Sequence, residues 1–280
     1  MSVISGKRAV MAGVGSLRNW KVNRSITIPS PRGSSTAGMP ACLVGNKDWT
    51  GSAEFYGYIP TNLPGAGFTF TAAPDNTAAS SGNPAIWTGT AIVSSLTVVI
   101  DIEAANPISG TIQFEGNGEL TASTNGAALS DATSPAIYPS KGMKGTLAGA
   151  DITNVRRMEF TLTCKNETYV TGGDSGTSGI VKRVPGNYDA SGNFTVYDGA
   201  PSTALAYGTI DILRYYVTAS YYWAFSYVVL ESNNPEADRE GGTIPGLTYP
   251  WKYTGWKDIA GTWTQGSISN VAGSTTTWWP

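Results

Sequence analysis

Histidine is absent from all 280 residues. Imidazole is the usual general base near neutral pH and the commonest transition-metal ligand, so its absence excludes Ser-His-Asp and Cys-His nucleophilic sites and His-zinc chemistry. The peptide Gly173-Asp174-Ser175-Gly176 has the form of a nucleophilic-serine motif. Without a histidine base that serine is inert, and the peptide reads as a glycine-rich loop whose Asp and Ser cap their own backbone. Cysteine is scarce: Cys42 and Cys164 stand too far apart for a Cys-x-x-Cys metal site. They read as two free, partly buried thiols, with a single disulfide as the alternative. Charged residues make up only 14% of the chain, and the helix formers Glu, Lys and Gln are few. No apolar stretch approaches the roughly 20 residues of a membrane span, and the opening MSVISGKRAV lacks the apolar run of a secretion signal. The expectation is a protein assembled in cytoplasm, with no membrane partner, no cofactor, no metal and no catalytic residue.

What is present points to strands. Hydrophobic residues reach 41%, and the chain holds 34 Gly, 14 Tyr and 9 Trp. Together with many Thr and Val, these favour pleated strands joined by tight turns, an all-β composition with ample apolar content for a core. The length suggests two domains. Charge is unevenly spread: residues 1 to 47 carry seven basic residues, Arg18, Lys21 and Arg24 among them, and no acid. From Asp48 onward 11 basic residues face 20 acidic ones. A basic segment of one copy meeting the acidic surface of the next is the economical reading, with nucleic-acid binding as the alternative.

An internal repeat is the strongest signal. Residues 34 to 61 align without a gap on residues 175 to 202, an offset of 141. The identical pairs are Ser34/Ser175, Thr36/Thr177, Gly38/Gly179, Gly45/Gly186, Asn46/Asn187, Asp48/Asp189, Gly51/Gly192, Tyr56/Tyr197 and Pro60/Pro201. About two matches would arise by chance at ordinary residue frequencies. The shared Gly-Asn-x-Asp is turn chemistry, and a strand follows it in each copy, Ser52 to Tyr58 and Asn193 to Tyr197. Upstream, Trp20 to Ile28 and Arg157 to Cys164 alternate as further strands.

Further along, Leu96 to Glu103 and Thr111 to Gly116 flank Asn106-Pro107 and read as a hairpin. Its apolar residues, Val98, Ile100, Ile112 and Phe114, oppose Asp101, Glu103, Gln113 and Glu115, so one face is core and one is wet. Thr209 to Val217 and Tyr221 to Leu230 are aromatic on both faces, as in a sheet covered on both sides. Asn234 to Gly241 has an Asn cap, a Pro and a terminal Gly, and reads as a short helix. Five of the nine Trp lie at positions 251, 256, 263, 278 and 279, and the final Trp-Trp-Pro is expected to be buried. The domain reading is a first β domain over 1–121 with its basic N-terminal segment, a linker or extended loop over 122–150, and a second β domain over 151–280.

The opening MSVISGK, the strand around Trp20-Lys21-Val22, and the phrase from Gly45 to Gly51 form an ordered set with Pro64-Gly65, Phe68-Thr69-Phe70 and the strand end from Phe114 to Leu120. In that order they resemble phage tail tube proteins and related virion structural proteins. The likeness covers most of residues 1 to 121, with a degraded copy over 155 to 280 that has Ala190 where Trp49 stands. The resemblance implies two tandem β-sandwich units with flanking helices, whose inner sheets close into a ring barrel on oligomerisation. It implies a homotrimeric, pseudo-hexameric ring, or a hexamer as the alternative, stacked into a tube and joined to other tail proteins. Such a chain would belong to the virion tail, assembled in the bacterial host cytoplasm, with viral DNA passing through the lumen without specific binding. Asp101, Glu103, Gln113 and Glu115 would then line the lumen and repel phosphates, or else face solvent on an outer sheet. Arg18, Lys21 and Arg24 would form the inter-subunit basic segment. The alternatives are another virion structural protein (capsid cement, distal tail or tail terminator) or a carbohydrate-binding adhesin module.

Overall fold

A computed structural model describes residues 10–11, 14, 17–30, 32, 39–40, 42, 45–57, 60, 62–74, 86–123, 129, 139–170, 179–197, 208, 210–218, 221–232, 234–236, 246–259, 262–265, 267–272 and 275–277. The chain is all-β, and no helix occurs among the described residues. In chain order the strands begin with β1 (Val10–Met11), β2 (Leu17–Ile26), β3 (Lys47–Tyr56), β4 (Gly67–Ala73), β5 (Ile86–Asp101), β6 (Ser109–Gly116) and β7 (Thr121–Ser123). There follow β8 (Lys144–Leu147), β9 (Ala150–Ile152), β10 (Val155–Val170), β11 (Val181–Tyr197), β12 (Ile210–Tyr216) and β13 (Tyr221–Leu230). The last are β14 (Asn234–Glu236), β15 (Gly246–Tyr253), β16 (Trp256–Ile259), β17 (Thr262–Gln265), β18 (Ile268–Ala272) and β19 (Thr275–Thr277).

The chain forms two compact units. Unit 1 comprises Met1–Leu96, Thr111–Pro135 and Thr163–Tyr188, and unit 2 comprises Thr97–Gly110, Ala136–Leu162 and Asp189–Pro280. In unit 1, β2 and β3 pair antiparallel from Leu17↔Phe55 to Ile26↔Lys47, with a bulge at Arg18. β4 lies between β1 and β5, and the start of β5 also pairs with β7. The inward residues are aromatic: Trp49 on β3 sits 5.4 Å from Phe70 on β4, and Phe70 lies 5.2 Å from Phe114 on β6. Aromatic pairs at such separations add directional attraction to their large buried area.

In unit 2, antiparallel ladders join β9 to β8, β8 to β12, β12 to β13, β13 to β18 and β18 to β19. β15 pairs with β11, β13 and β14. Its core holds Phe160, Tyr215, Trp223, Phe225 and Trp251, each essentially inaccessible to water. The Trp251 indole N–H donates to the Tyr215 hydroxyl at 2.7 Å, and that hydroxyl donates to the Asn193 carbonyl at 3.3 Å. Both polar groups of this buried pair are therefore satisfied. β13 leaves β18 after Phe225 and joins β15 at Val228. Tyr227, with φ of 62°, turns this corner, and its carbonyl accepts from both the N–H and the hydroxyl of Thr254 at 3.0 Å. A left-handed aromatic residue is strained, and the two hydrogen bonds hold it there.

Asn234 to Glu236, read from sequence as the start of a helix, form strand β14 against Gly246 to Thr248 instead. A proline lacks the N–H that an inner strand must donate, so it is at home in a short strand paired on one side. The rest of that segment lies outside the described residues, as do Gly173 to Gly176 and the terminal Trp-Trp-Pro. Strand β8 and the first residue of β9 fall in the stretch read as linker. They are joined by Ala148 and Gly149, with φ of 54° and 81°, between the paired residues Leu147 and Ala150. A two-residue turn with both φ positive favours Asn-Gly, and Ala at its first position is strained. Ala148→Asn is therefore expected to stabilise unit 2 by about 0.5–1 kcal/mol, read as a rise in the urea midpoint at unchanged slope.

Candidate functional site

The repeated peptide falls on equivalent strands. Residues 47–56 are β3, and the positions 141 further on, 188–197, are the second half of β11. Trp49 and Ala190, Ala53 and Phe194, and Phe55 and Val196 are all buried. The Asp48 carboxylate accepts from the Trp49 N–H at 2.7 Å, and the Asp189 carboxylate accepts from the Ala190 N–H at 2.8 Å. The Gly-Asn-x-Asp spacing thus places the same side-chain-to-backbone bond at the same point of both strands. Gly51 and Gly192 serve close approach: a Cβ on Gly51 would strike the Phe114 ring, and one on Gly192 would lie 2.7 Å from the Trp251 ring. β3 pairs with β6 as β11 pairs with β15.

The lost tryptophan has a counterpart. In unit 1 Trp49 occupies the space a side chain at Gly116 would fill. In unit 2 the residues one step beyond the Ser191↔Lys252 pair are Ala190 and Tyr253. The ladder continued by one pair sets the half-buried Tyr253 opposite Ala190, so in unit 2 the large side chain stands on the neighbouring strand.

Unit 1 also holds a charge cluster around one buried arginine, with Asp48 and Glu115 half-buried beside it. Arg183 on β11 is only 5% exposed, and its guanidinium forks onto Asp48 with N–H donors at 2.8 and 2.7 Å. It also donates to the Gly116 carbonyl, and its Nε lies 3.3 Å from a Glu115 oxygen. The Arg183 backbone N–H donates to the Asn117 side chain at 2.7 Å, and Asn166 donates to Glu115 at 2.8 Å. Burial alone would lower the Arg183 pKa, but the Asp48 hydrogen bonds and the Asp48 and Glu115 charges outweigh it, so the guanidinium titrates above its ordinary value. Chemically this is a clamp: one planar cation ties β3, β6 and β11 together through bidentate geometry that lysine does not reproduce.

Beside it lies a cleft of about 260 Å³ lined by Arg24, Ile26, Lys47, Trp49, Glu119 and Ile180, among others. Lys47 stands 3.8 Å from Glu119, and the Arg24 guanidinium lies 5.4 Å from the centre of the Trp87 ring. Among the described residues, no cluster of three or more Cys, Asp or Glu could hold a metal ion. Cys42 is exposed, Cys164 is buried, and both are free. Burial pushes the Cys164 thiol above its ordinary pKa.

The sequence-derived site residues fall in different settings. Asp101 is half-buried and caps the Ala104 N–H at 3.0 Å, while the exposed Glu103 is ion-paired with Arg156. Gln113 is exposed, and Glu115 turns toward Arg183 and Asn166. Arg18, largely exposed, lies 4.0 Å from Glu54, and Lys21 and Arg24 are exposed on β2. The clamp residues Arg183, Asp48, Asn117 and Asn166 had no place among those expectations. No protein-family model matches the chain, and no curated protein matches it.

Proposed function

We propose that the chain is a self-assembling structural subunit of a virus particle, of the phage tail tube type. The observation that carries this reading is the doubled strand motif, with its Asp-to-backbone bond and its glycine beneath a large ring, built once in each unit. Two such units per chain suit three chains completing a six-unit ring, with a hexamer of chains as the alternative. Six units giving four strands each make about 24 strands, and at roughly 4.8 Å spacing with ordinary tilt the barrel is about 45–50 Å across, wide enough for duplex DNA. Ring closure would also remove free sheet edges, which otherwise invite aggregation. Asp101 suits a lumen that repels phosphate, whereas Gln113 is neutral and Glu103 contributes less because Arg156 compensates its charge. Glu115 contributes less there, because Arg183 compensates its charge.

Negative-stain microscopy of the purified protein tests the proposal. Rings or tubes support it, and a dispersed monomer that binds glycans sinks it in favour of an adhesin module. Joint neutralisation of Arg18, Lys21 and Arg24 is expected to raise the critical concentration for assembly about tenfold and to flatten its salt dependence, because exposed charges steer association through a screened field. Sedimentation velocity between about 50 and about 500 mM salt, a range over which the Debye length falls about threefold, from about 14 to about 4 Å, reads both effects.

A further inference from the structure

An Asn-Gly pair lies among the residues that hold the Arg183 clamp. Asn117 and Gly118 form the bend between β6 and β7, and both are half-buried. In such a pair the backbone nitrogen of the second residue reaches the carboxamide of the first with little hindrance, because glycine has no Cβ to block the approach. The local hydrogen bonds sort the reacting atoms. Asn117 Oδ1 accepts from the Arg183 backbone N–H at 2.7 Å. A donor so placed draws electrons from Cγ and stabilises the negative charge that collects on that oxygen when Cγ is attacked, as an oxyanion hole does. Neither the Gly118 N–H nor Asn117 Nδ2 has a hydrogen-bond partner among the described residues. The electrophile is polarised while the nucleophile and the leaving group stay open.

The frame around them is held in place. The Asn117 N–H donates to the Thr90 carbonyl at 2.8 Å, and the Asn117 carbonyl accepts from the Thr90 hydroxyl at 2.6 Å. The Gly118 carbonyl accepts from the Trp49 indole at 2.9 Å. Gly118 has φ of 142°, a conformation that side-chain-bearing residues rarely adopt, so the fold itself requires glycine after this asparagine.

We propose that Asn117-Gly118 is a self-modification site, at which the folded chain deamidates through a cyclic imide. The Gly118 nitrogen gives its proton to solvent hydroxide and bonds to Asn117 Cγ. The Cγ–Nδ2 bond then breaks, and the nitrogen takes a proton from water and leaves as ammonia. A water molecule opens the imide at either carbonyl, which leaves aspartate or isoaspartate at position 117. In sum one amide and one water give one acid and one ammonia, with no oxidant or reductant. The aspartate product sets a new carboxylate against the backbone of Arg183, whose guanidinium already serves Asp48 and Glu115. The isoaspartate product adds a carbon to the main chain between the Thr90 and Trp49 contacts and pulls their spacing apart. Either change falls on the clamp, so unit 1 loses stability as the protein ages.

The test incubates the full chain in mildly alkaline buffer, native and in urea, and follows position 117 by peptide mass mapping and by isoaspartyl methyltransferase labelling. Asn117 is expected to convert in the native chain at least as fast as in the unfolded one, whereas Asn166, in the same cluster but followed by Glu167, stays intact. A second readout is the urea midpoint, which is expected to fall on incubation in the wild type and to hold steady in Asn117→Gln, whose longer side chain keeps a carboxamide but closes the ring far more slowly. Slower conversion of Asn117 in the native chain than in urea would mean that the fold protects the pair, and overturns the proposal. An aged wild type that converts yet keeps its midpoint overturns the link to the clamp.

Discussion

Replacing Arg183 with alanine is expected to destabilise unit 1 by about 3–5 kcal/mol, a large part of the stability of an ordinary domain. Denaturant unfolding and calorimetry would both read the loss. The size follows from what remains. Asp48 and Glu115 lose the cation that neutralises them, and the Gly116 carbonyl loses its donor. The Asp48 and Glu115 side chains are only 29% and 32% exposed, so most of each is left facing protein without a cation, and the buried Arg183 stem leaves a void as well. Arg183→Met combined with Asp48→Asn is therefore expected to recover much of the loss. Arg183→Lys is expected to recover little, since an ammonium group offers no planar fork to a carboxylate. If the alanine variant unfolded at the wild-type midpoint, the clamp would have no role in stability.

Trp49→Ala is expected to lose about 3–5 kcal/mol in the same unit. The indole lies 5.4 Å from Phe70 and 6.2 Å from Phe114, and its N–H donates to the Gly118 carbonyl at 2.9 Å. Gly89 and Gly116 leave it room, so truncation opens a void that glycine backbones do not fill. Unit 2 suggests the repair, because Ala190 stands there with Tyr253 on the neighbouring strand. Trp49→Ala with Gly116→Tyr is expected to be more stable than Trp49→Ala alone, whereas Gly116→Tyr alone drives its ring into the indole and destabilises. A double variant no better than the single one would show that the two cores are not interchangeable.

The strand content was legible because alternation and β-branched and aromatic residues act locally. The repeated Gly-Asn-x-Asp, read from sequence as a turn, is not one: Gly186-Asn187 lie inside β11, and Gly45-Asn46 lead directly into β3. What the repeat marks is the common start of two equivalent strand segments, where the Asp side chain accepts from the next N–H. The place of the large side chain in unit 2 was not legible, since comparing Trp49 with Ala190 shows a loss and Tyr253 lies on another strand. The false helix from Asn234 arose because a cap, a proline and a terminal glycine describe helix ends without describing what the segment meets, and here it meets β15. Arg183 was invisible for a related reason. In Val181-Lys182-Arg183-Val184 nothing distinguishes the inward cation from its neighbour Lys182, and its partner Asp48 is 135 residues away. Gln113 and Glu115 were read as alternating with core residues, as they do, but alternation does not say which of the two acquires a buried partner.

That separation also has a meaning in time. A chain grows at about 5–20 residues per second, so the 135 residues between Asp48 and Arg183 correspond to roughly 7–27 s of synthesis. Through that interval the first 96 residues of unit 1 exist on the ribosome without its last segment, Thr163–Tyr188. The clamp cannot close until Arg183 has been made, so Asp48 and Glu115 wait on the ribosome without the guanidinium that they share in the finished unit.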